Sequence, residues 1–217
     1  RPSLDVVMRD VGLLLAEGRI HAAVQWQTVR WKSRTPKQDS SSTMGCRVQE
    51  SLLTELRILR VAKESELNPN VPAGLQSAEK IHELFWDKRN RCNKTSWNRE
   101  FLADWARLRL AMADQGLAKQ AINEYVSAVG SDRQTADERA QISYLHGILF
   151  LLQKQPDQAM AEFQKLRRQS HGLSDEYAWH AEIGLARAAV MKGGKQSIEQ
   201  AMEHYARAEM WLNVNAQ

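Results

Sequence analysis

The segment from Trp105 to Ala128, WARLRLAMADQGLAKQAINEYVSA, most constrains how this chain can fold. Trp105, Leu108 and Met112 recur at helical spacing, Gly116 interrupts the run, and Ala121, Tyr125 and Ala128 resume it. Residues three and four apart share a helix face. The pattern therefore predicts a helix, a tight turn at Gly116 and a second helix folded back on the first. Two related copies follow, so the chain reads as a series of helical hairpins.

The same period runs through the rest of the sequence. Leu4 to Glu17 and Ile20 to Trp31 form a first hairpin about Gly18, and residues 33–45, SRTPKQDSSSTMG, read as a mobile loop. Arg47 to Leu67 is a long helix stopped by Asn68-Pro69-Asn70-Val71-Pro72, because proline cannot continue the hydrogen-bond ladder. Leu75 to Asp87 is the next helix and Lys88 to Thr95 a basic loop. Ser96 is the expected N-cap of a helix over Trp97 to Asp114. Further helices are expected over Ala118 to Val129, Thr135 to Leu152, Pro156 to Gln169, Asp175 to Met191 and Ser197 to Leu212. Gly130 and Gly193-Gly194 mark turns, and Pro156 suits a first helical turn, where its missing N–H costs nothing. No segment alternates as a strand does. Residues 1–95 are expected to be helical hairpins continuous with a repeat region over 96–217.

Within that region the second helices share a motif: Ala121, Tyr125 and Ala128; Ala159, Phe163 and Leu166; Ala201, Tyr205 and Ala208. A small residue allows close helix approach, and the bulky residue one turn later fills the space beside it. With Trp105 and Leu108 in the preceding helix, and Gly147 and Phe150 in the next, this resembles the tetratricopeptide repeat. The copies lie 38 and 42 residues apart, and the motif's closing proline is missing, so the array is degenerate. The resemblance implies an all-α, right-handed superhelix of antiparallel hairpins. Irregular repeats of this kind are also similar to the signalling domains of maltose-regulator-type transcription activators and to the FAT region of phosphatidylinositol-3-kinase-related kinases.

Composition narrows the function. The net charge of +4 is uneven: residues 1–108 hold 18 Lys and Arg against 13 Asp and Glu, and residues 109–217 hold 12 against 13. The excess sits near Arg30 to Lys37 and Lys88 to Lys94, too little for the basic stripe of a nucleic-acid surface. No run approaches the roughly 18 apolar residues of a membrane span. The first residue is Arg1, so the chain is read as a processed form or a piece of something longer, part of a longer chain or complex. Cys46 and Cys92 match no zinc spacing and could pair in an oxidising compartment or remain thiols in the cytosol.

Catalytic and cofactor signals are weak. Glu79 and His82 form one ExxH on a helix, but a di-iron bundle needs a second copy and two further carboxylates. Glu176 and His180 read as neighbours one turn apart. Gly193-Gly194-Lys195 lacks phosphate-loop spacing, no GxSxG elbow is present, and Asn93-Lys94-Thr95 is too short a glycosylation pattern to carry weight. No nucleophile, base and orienting group can be assembled, so neither an enzyme nor any metal or cofactor is implied.

The expectation is instead a protein–protein interaction or scaffold module whose inner face comes from the first helix of each pair. Polar and aromatic residues off the core phase mark that face: Arg107, Arg109, Tyr144, His146, Tyr177 and His180. They would suit a partner protein or peptide, and Arg109→Glu with Tyr144→Ala is expected to weaken binding at unchanged helicity. Trp86 and Trp97 flank the basic loop that holds Arg89 and Arg91, and the four could form a second interface, though packing at hairpin ends is the favoured reading of the two tryptophans. The alternative is a ligand- or peptide-sensing regulatory domain of a larger signalling or transcription-control protein.

Overall fold

The computed structural model describes residues 49, 52–57, 59–60, 63–64, 78–88, 95–131, 134–170 and 175–215. The first hairpin, the 33–45 loop, Cys46 and Cys92 lie outside the described residues. Every described element is helical. Residues 52–57, 59–60 and 63–64 are followed by α1 (Ala78–Lys88), α2 (Thr95–Ala111), α3 (Gln115–Val129), α4 (Ala136–Leu152), α5 (Pro156–Gln169), α6 (Asp175–Lys192) and α7 (Lys195–Asn215). The chain divides into two compact units, residues 1–111 and 112–217. The division falls after α2, a helix that the sequence reading groups with the repeats.

In the first unit, apolar side chains at helical spacing build the core: Leu52, Leu56 and Leu59, Ile81 and Phe85, and Phe101, Leu102, Trp105 and Leu108. Phe85 and Phe101 stack with ring centroids 3.8 Å apart. An ionic network joins the helical residues Arg57, Arg60 and Glu64 to α2. Arg57 donates to Asp104 and Glu100, each at 2.8 Å, and Arg107 donates to Glu64 at 2.9 Å. Arg60 Nε lies 3.0 Å from Asp104 Oδ1 without the alignment of a hydrogen bond. Asp104 is buried, and two guanidiniums offset the cost of desolvating its carboxylate.

In the second unit, consecutive helices pack on one another from α3 to α7, and α4 also touches α6. With α4, α5 and α7 around it, α6 must be apolar over most of its circumference. Its sequence complies: Ala178, Ala181, Leu185, Ala186, Ala188 and Ala189 are all buried. Phe163 of α5 is fully buried between Gly147 of α4 and Gly184 of α6, a space that exists because neither glycine carries a Cβ.

Local chemistry places the helix ends. The Thr135 side chain accepts from the Glu138 N–H while Glu138 accepts from the Thr135 N–H, a capping box that starts α4. Pro156 opens α5 as expected. Gly193 and Gly194, at φ 74° and 81°, turn the chain from α6 into α7 in a region that L side chains rarely adopt. Gln115 caps the other end of α4, its amide donating to the Leu152 carbonyl at 2.9 Å.

Four expectations need correction. Gly116 is not the turn: it lies in the first turn of α3, and the break is at 112–114, where Ala113 takes φ 57° and Asp114 caps α3 by accepting from the Leu117 N–H. Met112 accordingly leaves the apolar stripe and is exposed. Ser96 is already helical, because α2 begins at Thr95. In the repeated motif, Ala121, Tyr125, Ala159, Phe163, Leu166, Ala201 and Ala208 are buried, whereas Ala128 is exposed beside a buried Val129 and Tyr205 is 43% exposed.

Candidate functional site

The predicted partner-binding residues fall in both units. In the first, Arg109 is only 7% exposed. Its guanidinium lies 4.1 Å from the Trp105 ring centroid and donates to Glu79 at 3.1 Å. Arg107 is largely buried by its two hydrogen bonds to Glu64. Both arginines thus tie their own unit together. Glu79 and His82, the lone ExxH pair, do not act jointly. Glu79 serves Arg109, while the His82 ring stacks on Trp105 at 4.5 Å. Trp86 Nε1 donates to His82 Nε2 at 2.8 Å, which makes that nitrogen an acceptor and puts any neutral-ring proton on Nδ1. Trp86 also meets the Phe101 ring of α2 edge-on, with centroids 6.2 Å apart. Arg89, Arg91 and the Trp97 side chain lie outside the described residues.

In the second unit, three of the four candidates converge. On α4, Gln141 and Tyr144 are three residues apart and share a face; on α6, Tyr177 and His180 do the same. These faces meet. The Tyr144 and His180 rings lie 4.6 Å apart, and the Tyr177 hydroxyl donates to Gln141 Oε1 at 3.2 Å. Trp179 stands against His180 at 4.9 Å. Tyr144 and Gln141 are buried, whereas Tyr177, Trp179 and His180 are half-buried and border solvent. Two buried donors here, Gln141 Nε2 and Trp179 Nε1, have no hydrogen-bond partner among the described residues.

His146 is not part of this cluster. Two residues on from Tyr144, it points to the other side of α4, toward Glu162 and Lys165 of α5 and the Phe150 ring. Burial is the main cause that holds its imidazole below the ordinary value, with Lys165 adding to the effect and Glu162 opposing it.

Sequence reading missed Gln141 and a second polar cluster. The i, i+3 spacing of Gln141 with Tyr144 was the available signal for the first. In the second cluster, buried Glu182 of α6 lies 2.7 Å from His204 Nδ1 of α7, 3.7 Å from Arg167 of α5 and 4.0 Å from Arg207 of α7. One carboxylate thus joins three helices. Among the described residues, no three His, Cys, Asp or Glu side chains are grouped to hold a metal ion, and no helix is long and apolar enough to cross a membrane.

No family model, curated protein or solved structure matches the chain. Among the described residues, Tyr144, Tyr177 and His180 are predicted binding residues that come together, beside the partnerless Gln141 Nε2.

Proposed function

We propose that residues 112–217 form a degenerate tetratricopeptide-like superhelix and act as a non-catalytic interaction module. Its binding face is the edge made by α4 and α6, the first helices of consecutive pairs, and its partner is a protein segment or peptide. The observation that carries this reading is the convergence of Gln141 and Tyr144 with Tyr177 and His180 from two helices 36 residues apart in sequence. Aromatic and imidazole groups at the edge can cover apolar side chains of a partner, and a half-buried tyrosine hydroxyl can orient its backbone. Selection of binders from a displayed random-peptide library tests it. Enriched peptides should share a consensus and bind the 217-residue chain with an affinity that falls at least about tenfold with Tyr177→Ala and His180→Ala. Failure to enrich any peptide, or affinity that ignores both substitutions, rejects the assignment.

The partnerless donor favours a second reading, a ligand-sensing domain. Gln141 Nε2, next to the Tyr177 hydroxyl, would donate to a carbonyl or carboxylate of a small molecule. A ligand selective for the folded state raises the melting temperature by mass action. A screen of carboxylate and amide metabolites would show it, with the rise lost in Gln141→Leu.

A further inference from the structure

The last helix repeats a packing surface that the preceding pair uses internally. Ala201 of α7 follows Ala159 of α5 by 42 residues, and the same offset carries Met160 to Met202, Phe163 to Tyr205 and Arg167 to Glu209. On α5 this face is covered by α6: Phe163 fills the space at Gly184, and Arg167 reaches Glu182. On α7 the equivalent face is exposed. Ile198 is 42% exposed, Tyr205 43% and Met202 68%. Side chains at these positions recur every three or four residues and form one stripe, the geometry that receives a helix.

We propose that this stripe pairs with the α7 stripe of a second copy of the chain, antiparallel, about a two-fold axis at Met202. The charges on the helix favour that occupant. Lys195 and Glu209 stand seven residues before and after Met202, two helical turns either way, so both lie on the stripe, and both are exposed. A two-fold axis through Met202 brings Lys195 of each copy to Glu209 of the other. The same operation sets Ile198 against the second copy's Ala206, a large side chain against a small one. It also sets Tyr205 opposite Glu199, whose carboxylate can accept from the phenol. A contact in which each residue meets its mirror position is what a closed two-fold dimer requires. Only about 21 Å of helix is involved, so the interface is small and the dimer weak, with a dissociation constant on the order of 10–100 µM. The inference stands apart from the peptide-binding reading, which concerns α4 and α6.

Sedimentation equilibrium of the 217-residue chain from about 5 µM to about 1 mM tests it. The wild type should pass from monomer to dimer across that range, and Met202→Lys should remain monomeric with its circular dichroism unchanged. Lys195→Glu and Glu209→Lys should each weaken the dimer about tenfold, since each breaks two symmetry-related pairs, and combining them should restore it to within about twofold. A wild type that stays monomeric throughout overturns the proposal. So does a dimer indifferent to Met202→Lys, or a double variant no tighter than either single one, because the contact would then lie elsewhere or run in another register. Higher oligomers that survive Met202→Lys would equally overturn it.

Discussion

The ring of Phe163 occupies the space that a methyl group on Gly184 would need: a Cβ built there lies 2.5 Å from Phe163 Cγ and closer still to Cδ1 and Cε1. Gly147 bounds the other side, where a Cβ would fall 2.7 Å from Cε1 and Cζ. A buried ring held between two helix backbones has nowhere to move. Glycine in a helix interior ordinarily costs about 1 kcal/mol relative to alanine, so Gly184→Ala would stabilise an open site. Here the overlap wins. Gly184→Ala should destabilise the second unit by about 1–3 kcal/mol. Adding Phe163→Leu should recover part of the loss, a non-additivity visible in urea midpoints.

The capping box at the start of α4 satisfies two backbone donors at once. Thr135→Ala should cost about 1 kcal/mol. Glu138→Ala should cost less, because the Thr135 hydroxyl still accepts from the backbone. Urea titration of both variants against the wild type measures the difference.

His146 makes the second unit sensitive to acid. Its folded-state value lies below the ordinary one of about 6.5, so the unfolded chain binds the proton more readily. The sign follows: no penalty above about pH 7, a growing loss of stability as pH falls below about 6.5, and a plateau once pH passes the lowered folded value. The urea midpoint should therefore drop between about pH 7 and 5.5 less steeply in His146→Gln than in the wild type. Equal slopes would show that other groups govern that range.

Arg109→Glu is a test of folding before it is a test of binding. It removes a cation from the face of Trp105 and from Glu79, and sets a carboxylate in a buried position. A loss of about 1–3 kcal/mol is expected, with altered tryptophan fluorescence. Its expected use as a neutral surface probe therefore gives way to Tyr177→Ala and His180→Ala.

The candidate site was legible only in part. Reading Tyr144, Tyr177 and His180 as off the core phase marked them, but the fold buries Tyr144 and leaves only Tyr177 and His180 half-buried. Nothing in the spacing of α4 and α6 said that Gln141 would receive the Tyr177 hydroxyl, or that His146 would turn to α5. Arg107 and Arg109 looked as available as Tyr177, but acidic residues distant in sequence hold them.

By itself the sequence determined the helices of the described chain to within a few residues. Periodicity, Pro156, Gly130 and Gly193-Gly194 act through the local backbone, where a residue's neighbours in sequence are its neighbours in space. Tertiary structure alone decided which helix faces are covered. Phe163 and Tyr205 hold the same place in the repeated motif, yet α6 buries one and leaves the other at the surface. Placing the turn at Ala113 rather than Gly116 was by contrast a matter of local chemistry, the Asp114 cap on the Leu117 N–H, which apolar spacing alone does not register. Burial depends on what arrives from elsewhere in the chain, and helical spacing carries no record of it.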